Sequence, residues 1–379
     1  MTRLARVALA ALLAGAGVAC APTYGKPYLD AMAAGDRAFG AGRYDEAARA
    51  YDDAAAKALR VKDRDEARFL QARTYQRAEK WVEASSTFRR LAKDSPTGPR
   101  TVRAEFDIAD LEIEHGNPEA GWRMLAEAAR RNPTHGLARH AVVRLAQHAG
   151  EVGGGERAAE AWLRAARPTW DGTELEQVLE YEIAVSLERQ ERLPEARDAF
   201  LKTARAHPYP FGGLTDDAFW HAAEIDTKLG QHQQAIDLLR ELLRGRESPS
   251  HTVGSYERPR FSQAQMRIAE ITRDGLRDGA RARVEFHRVY TDHPTSLLRD
   301  DALWAEALLA RAAGDAPAAC RAMSNLVDDL EDSRYVRCAT LICSTVKAPA
   351  PRSGAPAAER ECPTYLAEQA SGRTPDAGP

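Results

Sequence analysis

Cysteine is the residue type best placed for chemistry in this 379-residue chain, and four of its five cysteines, Cys320, Cys338, Cys343 and Cys362, fall in the last sixty positions. Two disulfides follow if the chain meets an oxidising compartment. A four-thiolate zinc site is the alternative, but the spacing lacks a Cys-x2-Cys knuckle. His135, His140 and His148 share one stretch. Eight residues separate the last two and no carboxylate completes a ligand set, so exposed histidines are expected. The chain has no Gly-x-Ser-x-Gly elbow and no His-Glu-x-x-His pair, and Gly153-Gly154-Gly155-Glu156-Arg157 lacks the Lys-Ser/Thr end of a phosphate loop. Carboxylates such as Asp107, Asp110, Glu112 and Glu114 occur throughout, and nothing in the sequence singles one out as a raised-pKa acid. No enzyme activity, cofactor, metal or small-molecule substrate is expected.

The elements that must carry these residues are read from a repeat. Ala47, Ala84, Ala120, Ala158, Ala196, Ala235, Ala282 and Ala319 lie 37, 36, 38, 38, 39, 47 and 37 residues apart. Four positions after each comes a large apolar residue: Tyr51, Phe88, Met124, Trp162, Phe200, Leu239, Phe286 and Met323. That spacing places both on one face of a helix. Turn chemistry precedes each alanine, as in Gly42-Arg43-Tyr44, Gly116-Asn117-Pro118 and Gly314-Asp315-Ala316-Pro317. Glycine ends a first helix and proline opens a second. A period near 37 therefore means stacked helix hairpins rather than one globular core.

The residues Ala184, Leu187, Ala196, Phe200 and Pro208, and likewise Ala72, Tyr75, Ala84, Phe88 and Pro96, resemble the pattern of the tetratricopeptide repeat family. The resemblance covers roughly residues 29 to 329. It implies an all-α fold, a tetratricopeptide-type α-solenoid of about eight helix hairpins with a C-terminal capping helix. Junctions such as Asp292-His293-Pro294-Thr295-Ser296 are similar to those of bacterial envelope members, among them the β-barrel assembly lipoprotein and the Tol-Pal coordinator.

Arg3 and Arg6 precede an apolar run from Val7 to Ala19, the length of a secretory signal core and short for a bilayer span. The following Ala16-Gly17-Val18-Ala19-Cys20 resembles a lipobox, which implies a signal peptide over 1–19, acylation of Cys20 and a short tether over 20–28. Two or three acyl chains on one residue anchor stably. The expected location is the periplasmic face of the outer membrane, held by the Cys20 lipid; a soluble periplasmic protein is the alternative. The net charge of −3 becomes about −5 on losing the two signal arginines, with 51 basic against 56 acidic residues, and gives no reason to expect nucleic acid.

Residues 244–259 read as a long loop and Pro208-Tyr209-Pro210-Phe211-Gly212-Gly213 as a shorter one. A capping helix is expected within 330–346, from about 334. If the eighth hairpin turns at 330–333, antiparallel neighbours have numbers summing to about 663, which matches Cys320 with Cys343 and leaves Cys338 for Cys362. The tail, 347–379, is rich in Ala, Pro, Gly and Ser, and apart from the stretch around Cys362 reads as mostly disordered.

One further column stands out. Three residues before each small first-helix residue come Phe69, Phe106, Val143, Tyr181, Trp220, Met266 and Trp304, five aromatic in a chain that is 7% aromatic. In the family resembled, that position lies toward the concave surface. A protein-binding groove through Phe69, Phe106, Tyr181, Trp220, Met266 and Trp304 is one reading; packing between neighbouring hairpins is the other. Charges one turn later, Arg73, Arg77, Asp110, Glu114, Glu188, Arg189, Glu224, Lys228 and Arg311, alternate in sign and favour a protein partner. The family resembled implies a scaffold or adaptor for envelope proteins, with secretin piloting and motility among its jobs. A regulatory or substrate-capture module for a periplasmic cell-wall enzyme is the alternative.

Overall fold

The computed structural model describes residues 25–245, 258–349 and 361–371. The signal segment, Cys20 and most of the 244–259 loop lie outside these residues. Every regular element among the described residues is helical, and none of these helices is long and apolar enough to cross a membrane. The chain divides into two compact units, residues 1–153 with 165–176, and 154–164 with 177–379.

The first unit is built from α1 (Lys26–Gly40), α2 (Tyr44–Lys57), α3 (Val61–Arg77), α4 (Trp81–Asp94), α5 (Thr101–His115), α6 (Pro118–Arg131) and α7 (Gly136–Gly153), each packed on the next. Helix α1 opens at Lys26, inside the span read as a tether, because Pro27 stands in its first turn, where its fixed φ suits a helix start. The second unit begins in α8 (Glu156–Ala166), continues through α9 (Glu174–Arg189) and runs on with α10 (Leu193–Ala206), α11 (Thr215–Lys228), α12 (His232–Arg244), α13 (Pro259–Asp274), α14 (Gly279–Asp292), α15 (Arg299–Ala312) and α16 (Ala316–Asp329). From α10 to α16 each helix again packs on its successor.

Alanines 47, 84, 196, 235, 282 and 319 are buried, as are Tyr51, Phe88, Phe200, Leu239, Phe286 and Met323. Ala120, Met124, Ala158 and Trp162 are only half-buried; their neighbours Gly121, Leu125, Ala159 and Leu163 take the interior. This corrects the repeat in its third and fourth copies, and the interior positions 47, 84, 121, 159 and 196 are then 37, 37, 38 and 37 apart. Sterics explain the glycine: a Cβ on Gly121 would lie 2.6 Å from the Ile113 backbone nitrogen and 2.9 Å from the Ala109 carbonyl oxygen. Helix α6 approaches α5 more closely than a methyl group permits.

The turns inside the hairpins share one geometry. Gly42, Gly230 and Gly314 take φ of 74°, 73° and 75°, and Glu79, Glu191 and Arg277 take 58°, 59° and 57° at matching places. After the first two glycines and the third, and after Glu79 and Glu191, the next N–H donates to a carbonyl five residues back, as from Arg43 to Ala38 at 2.9 Å and from Lys80 to Tyr75 at 2.9 Å. This is the helix-ending motif in which a left-handed residue satisfies otherwise orphaned carbonyls.

Beyond α16 the single capping helix expected near 334–346 is replaced by a 3-10 turn, Val336–Cys338, and a four-residue helix, α17 (Ala339–Ile342). Extended backbone at Cys343 (φ −134°, ψ 106°) stops that helix. Disulfides join Cys320 to Cys343 and Cys338 to Cys362. Within the tail, 361–371 carries an eight-residue helix, α18 (Thr364–Ser371), with Leu366 and Ala370 buried. The remaining tail lies outside the described residues.

Candidate functional site: the first-helix face

The aromatic column sits against the following hairpin instead of standing free. Phe69 packs on Phe88 with ring centroids 5.7 Å apart, and the Arg100 guanidinium lies 4.9 Å above its ring. Phe106 stacks on His135 at 5.5 Å. Tyr181 meets Phe200 edge-on at 5.3 Å and His221 at 6.0 Å. Arg260 covers Trp220 at 4.9 Å, and Tyr335 stacks on Trp304 at 4.9 Å. Met266 packs beside Phe286 and Ala302. Phe69, Phe106 and Trp304 are buried, whereas Val143, Tyr181, Trp220 and Met266 are half-buried. Each covered ring is met by a cation, imidazole or phenol supplied by the next first helix or the loop leading to it, so this column mainly joins hairpin to hairpin.

The charges on the same face are also largely matched between neighbours. Lys228 and His221 both reach Glu188, at 2.9 Å and 3.0 Å. Burial alone would raise the Glu188 carboxyl, but these two partners hold it below its ordinary value. Arg267 pairs with Glu224 at 2.7 Å, Arg144 with Asp110, and Arg189 with Glu156 at 3.4 Å. Arg311 donates to the carbonyls of Leu341 and Ala370. The alternation of sign seen in sequence is thus chiefly a ladder of inter-helix ion pairs.

A cleft of about 600 Å3 remains open in the first unit, lined by Asp36, Phe39, Tyr51, Phe69, Arg73, Arg100, Arg103 and His135, among others. Tyr51 Oη donates to Asp36 at 2.8 Å, and burial followed by that carboxylate raises the phenol far above its usual range. Arg100 forks onto Glu66. Asp107, buried behind the cleft, accepts from Arg103 Nε at 3.2 and 3.3 Å. Arg73 approaches the same carboxylate only to 3.7 Å, outside hydrogen-bond reach, with its side chain 41% exposed. Burial pushes the Asp107 carboxyl up, against the opposing pull of Arg103 and Arg73. One carboxylate is thereby shared by two guanidiniums, and the Arg73 fork keeps donors to offer. Sequence reading marked Arg73 as a groove charge but could not see the cleft, because Asp36, Tyr51, Arg103 and His135 come from three hairpins and a loop.

Among the described residues no group of three or more His, Cys, Asp or Glu side chains is arranged to hold a metal ion. No curated protein matches the chain. Among solved structures it is similar to the C-terminal part of a TPR repeat-containing protein from Cytophaga hutchinsonii, 13% identical over 71% of this chain and 98% of that one, with a TM-score of 0.41. It is also similar to a tetratricopeptide repeat protein from Parabacteroides merdae, 12% identical over 74% and 99%, TM-score 0.33. The TPR2AB domain of yeast Sti1, in complex with pHSP90, aligns at 13% identity over 74% and 98%, TM-score 0.27. The family model of the tetratricopeptide repeat matches two segments, and the first of them contains both Phe69 and Arg73. Residues 66–98 and 217–244 therefore carry tetratricopeptide repeats, set in a chain of helix hairpins of the same period.

Proposed function

We propose that this protein is a non-catalytic scaffold that captures a partner protein by an exposed peptide segment, with the first-unit cleft as its principal contact. The observation that carries the reading is Arg73: a half-exposed guanidinium with spare donors, beside Phe69 and Leu70 and facing Phe39 and Tyr51. Such a cleft takes a side-chain carboxylate or peptide carbonyl on the arginine and an apolar side chain on the rings. The repeats support a protein ligand, because stacked hairpins offer long surfaces rather than enclosed pockets. We place the scaffold in the cell envelope, tethered through an acylated Cys20, on the strength of the Arg3 to Cys20 sequence.

Affinity capture from crosslinked membranes with the full chain tests the binding reading. Arg73→Ala should lower the yield of specific partners at least fivefold with unchanged helicity, and equal yields from wild type and variant would reject the cleft. Barrel, secretin or motility proteins among the captured partners fit the scaffold role; a cell-wall enzyme alone would replace it with an enzyme-regulating one. Cys20→Ser should move the protein out of the membrane fraction, and unchanged membrane association refutes the lipid anchor.

A further inference from the structure

The last first helix, α15, has no ninth hairpin to cover it. Tyr335 fills part of that role, stacking on Trp304 as Arg100 and His135 do on Phe69 and Phe106. The α18 segment covers the rest. Trp304 Nε1 donates to Gln369 Oε1 at 3.1 Å, Arg311 donates to the Ala370 carbonyl, and Leu366 and Ala370 are buried in one cluster with Leu303, Trp304, Ala307 and Val336. Helix α18 thus meets α15 through Trp304, a member of the aromatic column, and Arg311, a member of the charged one.

We infer that residues 361–371 are a built-in occupant of this end of the first-helix face, latched there by the Cys338–Cys362 disulfide. The hold without that bond is slight. An eight-residue helix is below the length at which helices persist alone in water, and α18 buries two side chains and makes two side-chain hydrogen bonds to α15. The crosslink supplies what the segment lacks by keeping its local concentration high. Its two sulfurs differ in access, Cys338 being fully buried and Cys362 half-exposed. A small thiol or a dithiol oxidoreductase attacks at Cys362: its thiolate forms a mixed disulfide there and Cys338 leaves as thiolate. A second thiol of the reductant then resolves the mixed disulfide, so the reductant is oxidised to a disulfide and both cysteines end as thiols. The Cys320–Cys343 bond holds the α17 turn to α16 independently of this step. Opening the latch uncovers Trp304 and Arg311 as a site for a short amphipathic helix with a Leu/Ala face. This inference is independent of the first-unit cleft and needs no partner to be tested.

The test compares the oxidised full chain with Cys338→Ser/Cys362→Ser, which retains Cys320 and Cys343. Amide exchange in 364–371 should quicken at least tenfold in the double variant while α9 to α14 stay within twofold of wild type. A labelled synthetic peptide of residues 361–371 carrying Cys362→Ser should bind the double variant, fail on the oxidised protein, and fail on the double variant bearing Trp304→Ala. Unchanged protection of 364–371, or equal peptide binding to both forms, overturns the latch. Should the double variant misfold, reduction of the wild-type chain with dithiothreitol gives the same readout, with α1 to α6 as the internal standard for global unfolding.

Discussion

Three hairpin turns place a side chain where glycine is sterically easier: Glu79, Glu191 and Arg277, at φ of 58°, 59° and 57°. An L-residue in the left-handed region is disfavoured by roughly 1–2 kcal/mol, so Glu79→Gly and Glu191→Gly should each raise stability by about 1 kcal/mol, measured by urea unfolding. Gly121 is the opposite case. Its replacement by alanine drives a methyl into the α5 backbone and should destabilise by about 1–3 kcal/mol. Reading the repeat through alanine alone missed this position, since the physical demand is for a small residue and glycine meets it more fully than the adjacent Ala120. Asp107 adds a pH dependence. Its folded carboxyl is raised by burial, so the native state binds this proton more tightly than the unfolded one. The contribution is present at low pH and is lost as pH rises through the folded value. Asp107→Asn should flatten that part of the slope in acid-range denaturation curves, and an unchanged slope would show that another carboxylate is responsible.

At the scale of the helix, the column from Phe69 to Trp304 was legible as a position and illegible as a fate. Spacing fixes which face of its own helix a residue occupies. It says nothing of what the next element lays across that face, and Arg100, His135, His221, Arg260 and Tyr335 are 29 to 40 positions further on than the rings they cover. The cysteine pairing was more tractable. An antiparallel hairpin imposes a constant sum on facing residue numbers, and that holds for Cys320 and Cys343 even though α17 has four residues where a longer helix was expected. Burial ranks the tryptophans. Trp304, 3% exposed between Tyr335 and Gln369, should lose about 3 kcal/mol as Trp304→Ala, read as faster exchange in α15 to α17. Half-buried Trp220, with Arg260 on its outer side, should lose less than half of that.

For the molecule as a whole, hairpins that touch mainly their neighbours make stability a sum of local terms. Phe88→Ala, in the core of the second hairpin, should therefore speed exchange in α3 to α6 and leave α13 to α16 unaffected; a uniform loss of protection would show long-range cooperativity instead. The all-α hairpin architecture was readable because its signal is repeated eight times, whereas the α18 contact occurs once and follows a tract rich in Ala, Pro, Gly and Ser. The placement of the crosslinks carries a further consequence. Both disulfides draw only on residues from Cys320 onward, with separations of 23 and 24 residues. Neither can close during synthesis until nearly the whole array has been made, and the outer one waits for Cys362 itself. Oxidation of this pair is consequently a maturation mark: a protein carrying both bonds has already passed through translation of every hairpin, so a gel-shift assay of thiol status would count finished molecules against unfinished ones.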